Sequence, residues 1–196
     1  MFGCGLAALS AFLASCMSLF LATLIPGLFL LVLGIPLLLR HAGAIGTLTS
    51  FPRSRSAAWI LFGGATVWFL YNTWNLSPAD LGDYHVLLFF GFGIVAALSF
   101  KCIPDFLAVR GACVLVLLCA SPLLEAAYME YRYPQRLFLV TAVYIGIAFA
   151  IWGAAQPWRA RDFLGWLFAR PERTRGFGGL VAAYGLVLCA VAFTYK

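Results

Sequence analysis

The side chains most able to do chemistry lie in one apolar stretch, residues 101–136, which reads KCIPDFLAVRGACVLVLLCASPLLEAAYMEYRYPQR. On a helix turning about 100° per residue, Arg110, Ser121, Glu125 and Tyr128 fall within roughly 60° of one another, a narrow polar seam. Ionisable groups inside a membrane face a protein interior or an aqueous cavity, so the seam is expected to point inward. Arg110 and Glu125 stand about 22 Å apart along the axis, too far for a direct pair. Each then lies near one edge of the hydrocarbon layer, within reach of the headgroups, where it also serves as an interfacial anchor. Asp105 follows Pro104 at the expected start of this helix and reads as a cap rather than a catalyst.

A second cluster gathers Trp68, Tyr71, Asn72 and Asn75 on one helical face. Asp80, Asp83 and His85 follow in a short turn, and Glu125, Tyr128, Tyr131, Arg132 and Arg136 lie across a later connection. If the helices pack closely, Trp68, Tyr71, Asn72, Asn75, His85, Ser121, Glu125 and Tyr128 would line an outward-facing ligand pocket. Otherwise they form a hydrated interface with aromatic belts.

The usual catalytic signatures are missing. The sequence contains no HExxH, GxSxG, Walker or Rossmann motif, and its two histidines, His41 and His85, exclude a multi-histidine iron or haem site. Cys4, Cys16, Cys102, Cys113, Cys119 and Cys189 form no CxxC pair and mostly lie in apolar runs, as small hydrophobes do. The expectation is no catalytic residue, no metal and no cofactor.

The elements that must carry these residues are membrane spans. The 196 residues are 64% hydrophobic and 10% charged, with a mean hydropathy of +0.97, against about 25% charged in soluble domains. We read one all-α integral membrane domain over 1–196, a six-transmembrane-helix bundle with spans at about 6–39, 57–74, 84–100, 107–128, 137–154 and 178–194. The first apolar run, as one straight helix, would be about 50 Å long, so Pro26-Gly27 and Pro36 mark where a long first helix should kink. A re-entrant hairpin turning at Pro26-Gly27 is the alternative.

The net charge of +6 belongs to topology, not to nucleic acid. One set of alternate connections holds Arg40, Arg53, Arg55, Lys101, Arg110, Arg159, Arg161, Arg170, Arg173 and Arg175; the other holds Arg132, Arg136 and Lys196. That asymmetry places the first set in the cytoplasm and both chain ends outside it. The expected location is a bacterial inner membrane.

Two features suit contact with neighbours. Ala7, Ala11, Ala14, Ser18 and Ala22 form a stripe of small residues, suited to close packing against a helix of this chain or of a second subunit. A short amphipathic helix is expected at about 159–170, before the last span. There Arg159, Arg161 and Arg170 bracket Trp166 and its apolar neighbours, a pattern that favours anionic lipid on the inner leaflet. The glycine pairs Gly63-Gly64, Gly91-x-Gly93 and Gly178-Gly179 read as packing notches.

The expected role is a non-catalytic membrane subunit or scaffold packing against membrane lipids and a membrane-protein partner or further copy. The alternative is a small transporter or substrate-capture component using the outward pocket. An enzyme acting on a lipid-linked substrate through Glu125, Asp83 or His85 is a third reading that nothing in the spacing requires.

Overall fold

The computed structural model describes residues 18–76, 82–102 and 106–195, and these form an all-helical structure with no strand. In chain order the helices are α1 (Leu19–Leu38), α2 (Ala42–Ser50), α3 (Arg55–Trp74), α4 (His85–Cys102), α5 (Leu107–Ala127), α6 (Arg136–Ala155), α7 (Pro157–Phe168) and α8 (Pro171–Ala192). Single 3-10 turns, Phe51–Arg53 and Gly82–Tyr84, precede α3 and α4. Five of the helices, α1, α4, α5, α6 and α8, are long and apolar enough to cross a membrane. The chain is a multi-pass membrane protein. Helix α3 has the length, 20 residues or about 30 Å, but its polar last turns, with Tyr71, Asn72 and Thr73, lower its hydropathy.

The antiparallel pair α1–α8 is the most intimate contact. Intrahelical backbone bonds are already complete in lipid, and apolar surface gains little by leaving it, so helices associate where small residues let their backbones touch. Glycines at the crossing do this. A Cβ on Gly34 would sit 2.5 Å from the Ala182 amide nitrogen, and one on Gly178 would sit 2.5 Å from that of Leu38. Gly27 meets Cys189 Sγ at 2.8 Å, and Gly185 meets the Gly27 carbonyl at 2.9 Å, by the same measure. The expected notch at Gly178 is therefore present. Gly63, Gly64 and Gly91 instead have nothing within 4 Å of where a Cβ would be. They lie on surfaces that no helix of the described residues covers closely.

Helix α5 is the hub. It runs parallel to α3, with Gly111 pressed on the Phe62 backbone and Ala58 packed near Leu107 and Ala108. It runs antiparallel to α6, where Cys113 faces Gly153 and Val116 faces Gly146. At the far end Ala22 of α1 closes a core with Ala120, Ala127, Leu139 and Val143. Helix α4 packs mainly on α3, through Trp59–Phe100 stacking at 4.3 Å and Phe69–Phe92 edge contact at 5.1 Å. None of its described residues is buried.

These contacts bring Arg40, α2, the turn Phe51–Arg53, Lys101 and α7 to one end of the bundle. Ser18, Trp74, His85, the α5–α6 connection and Tyr195 lie at the other.

Several boundaries differ from the sequence reading. Helix α1 begins at Ser18, whose hydroxyl accepts from the Leu21 amide at 3.4 Å and caps it. Ala7, Ala11 and Ala14 lie outside the described residues, as do Asp80, Pro104 and Asp105. Residues 42–50, expected as a polar connection, form α2. A backbone turn at Arg40 ends α1 just before it, with the His41 amide on the Pro36 carbonyl (2.9 Å), the Arg40 amide on the Leu37 carbonyl (3.2 Å) and Arg40 at φ 53. The last helix starts at Pro171, with Glu172 in its first turn, rather than near 178. Hydropathy marks where a helix enters the hydrocarbon; proline and acid mark where it begins.

Two outcomes test this packing. Gly34→Leu drives a side chain into the Ala182 backbone, which cannot swing aside, and should lower stability by about 3 kcal/mol or more, read as a lower melting temperature in detergent. Tyr184→Phe removes the hydroxyl that donates to the Phe138 carbonyl at 2.9 Å between α8 and α6, and should cost about 0.6 kcal/mol.

Candidate functional site

The eight residues expected to line a pocket stand at the end of the bundle opposite the basic connections. They do not enclose a volume together. Asn72, Ser121, Glu125 and Tyr128 are exposed, and Trp68, Tyr71, Asn75 and His85 are half-buried. Asn75 and His85 have local partners. Asn75 Nδ2 donates to the Tyr71 carbonyl at 2.8 Å and satisfies the end of α3. The His85 ring meets Trp74 edge-on at 5.3 Å, next to Phe89 on the same indole at 5.2 Å.

Along the α5 seam Arg110 is half-buried, whereas Ser121 and Glu125 open outward rather than inward as expected. Packing decides this: Ala108 and Gly111 are taken by α3, and Cys113, Ala120 and Ala127 by α6 and α1. The strip carrying Ser121 and Glu125 is left uncovered. Among the described residues the only ion pair is Arg161–Asp162 at 3.0 Å, so Glu125 has no cationic partner there.

Sequence reasoning missed what closes this end. Arg136 Nη1 donates to the Ala127 carbonyl at 2.7 Å, and its guanidinium lies 4.5 Å over the Tyr131 ring. One side chain thereby satisfies a terminal carbonyl of α5 and shapes the turn into α6. Tyr133 meets Tyr195 edge-on at 5.4 Å, tying the end of α8 to the same turn. Burial pushes the Tyr195 phenol above its ordinary value.

At the basic end, α7 is held down by the buried side chains of Pro157 and Leu167. Thr174, itself buried, donates to the Leu167 carbonyl at 2.9 Å. Arg159, Arg161, Trp166 and Arg170 are all exposed, as a surface-lying helix requires. Arg173 stacks over Trp166 at 4.5 Å, and Arg161 shares its charge with Asp162. Ser18 is exposed, and Ala22 is fully enclosed within this chain.

Neither cavity at hand involves the eight residues. A cleft of about 330 Å³ lies at the basic end, lined by Pro52, Arg53, Ser54, Arg55, Ala58, Trp59, Phe100, Leu107 and Ala108. A shallower one of about 200 Å³ is lined by Ala148, Phe149 and Trp152. No group of three or more metal-ligating side chains occurs among the described residues. No family model, curated protein or solved structure matches the chain.

The Arg136 bridge is directly testable. Arg136→Gln should destabilise the protein by about 1.5–3 kcal/mol, the range for a hydrogen bond from a charged donor. Hydrogen exchange should then speed up in the α5–α6 turn and leave the α1–α8 core unchanged.

Proposed function

We propose that the chain is a non-catalytic integral membrane subunit that packs against a partner membrane protein or a further copy of itself, and against anionic lipid at its basic end. The observation carrying this reading is the uncovered polar strip of Ser121 and Glu125 on α5. A polar side chain on a spanning helix is stabilised by protein or water, not by acyl chains. A bundle alone in lipid leaves this strip at its perimeter. Helix α4, with no buried residue, and the open glycines Gly63, Gly64 and Gly91 add surface on which a second helix could approach closely.

In this reading the chain crosses six times, α3 being the sixth crossing, sheltered between α4 and α5, and α1 bends at Pro26 and Pro36. The end carrying Arg40, Arg53, Arg55, Lys101 and α7 faces the cytoplasm by its excess of basic residues, and both ends of the chain lie across the membrane from it, in a bacterial inner membrane. Arg159 and Arg170 on and beside α7 rest on headgroups there, with Trp166 at the interface.

Purification in a mild detergent followed by mass measurement tests the reading. The expected species exceeds the 21.4 kDa of one chain, and Glu125→Leu or Gly64→Leu shifts it toward the single-chain mass with the melting temperature of the monomer retained. A strictly monomeric species with no co-purifying protein overturns the proposal.

A further inference from the structure

The cleft at the basic end has a mouth and a floor of different chemistry. Its mouth is the turn Phe51–Arg53 and the first turn of α3. Pro52 is fully buried, and Phe51 packs against the cluster of Val109, Cys113 and Ala150. The turn is therefore anchored, and Arg53 and Arg55, on either side of Ser54, line one cleft. Both are exposed, and neither is ion-paired among the described residues. The first turn of α3 contains no acid. Ser54 Oγ accepts from the Ala57 amide at 3.2 Å, which leaves the preceding amides of that helix start as further donors.

The floor is apolar and aromatic. Trp59 stacks on Phe100 at 4.3 Å, and Phe62 meets Phe100 edge-on at 5.2 Å. Trp59 lines the cleft and is 64% exposed, so its ring continues from the cleft to the outer surface of α3. Two guanidiniums and a helix start over a track leading into hydrocarbon suit a ligand with an anionic head and an apolar tail. Guanidinium forks match phosphate oxygens in geometry and charge, and basic pockets between spanning helices on the cytoplasmic side bind phospholipid headgroups.

We propose that this cleft binds the phosphate headgroup of an anionic membrane phospholipid, with Arg53 and Arg55 on the phosphate and an acyl chain along the stacked rings of Trp59 and Phe100. The site is separate from α7 and needs only the membrane placement of the bundle. A monomeric chain that retains the lipid would remove the partner reading above and leave this one standing. Asp105, two residues before Leu107, lies outside the described residues, so discrimination between anionic and zwitterionic headgroups is the decisive readout.

The test is native mass spectrometry of the full chain in detergent, titrated with phosphatidylglycerol, with phosphatidylcholine of the same acyl chains, and with inorganic phosphate. Phosphatidylglycerol adducts should be retained about tenfold better than phosphatidylcholine adducts and should survive millimolar inorganic phosphate. Arg53→Gln and Arg55→Gln should each weaken retention about fivefold and together about 25-fold, whereas Arg53→Lys with Arg55→Lys keeps most of the anionic preference. Arg159→Gln with Arg170→Gln should leave the tightest adduct in place. Equal retention of both lipids, an unchanged Arg53→Gln/Arg55→Gln variant of wild-type melting temperature, or displacement of the lipid by inorganic phosphate would each overturn the assignment, the last reassigning the cleft to a free anion.

Discussion

Backbone-to-backbone contact between α1 and α8 is the constraint on which the bundle rests. Gly27, Gly34 and Leu38 on one helix face Cys189, Gly185, Ala182 and Gly178 on the other, and several pairs approach too closely to admit even a Cβ. Lipid offers no hydrophobic drive to hold two apolar helices together, so dispersion at short range must do it. The contact joins the first and last described helices, which are more than a hundred residues apart in sequence. It joins α8 to a helix that itself packs on α5 and α6, because Ala22 on α1 completes the core with Ala120, Ala127, Leu139 and Val143.

From that pair outward the packing loosens. The α5 helix gives its small residues to α3, α6 and α1; α3 gives its aromatic face to α4; and α4 gives no residue to the interior. Such a gradient leaves one side of the bundle closed by protein and the other bounded by α4, which packs mainly on α3 alone. The polar strip on α5 and the open glycines of α3 and α4 lie where the gradient runs out. The two ends differ in how their arginines are held: Arg136 lies over Tyr131 and bonds the Ala127 carbonyl at one, while at the other Arg161 pairs with Asp162, Arg173 stacks on Trp166, and Arg53 and Arg55 have no ion-pair partner among the described residues.

Misreadings of individual residues share one cause. The pairs Gly63-Gly64 and Gly178-Gly179 look alike as letters, and only the second has a helix against it. Ser121 and Glu125 share a helical face, and helical periodicity says nothing of whether that face meets a neighbour. Arg53 and Arg55 read as topology markers in a connection, whereas the burial of Pro52 just before them anchors the turn and both arginines line one cleft. Helix α2 escaped notice because AGAIGTLTS is neither apolar enough to read as a span nor patterned enough to read as an amphipathic helix, and its threonine and serine hydroxyls bond back to its own carbonyls.

The sequence by itself determined the solvent and the helices that answer to it. Hydropathy summed over about 20 residues measures transfer into lipid and is insensitive to what each residue touches, so α1, α4, α5, α6 and α8 were legible, as was the alternation of charge between their ends. Which faces are covered was decided only by the tertiary structure. That outcome depends on which small residue meets which backbone across a crossing, and such a pairing joins two distant points of the chain that no single window contains.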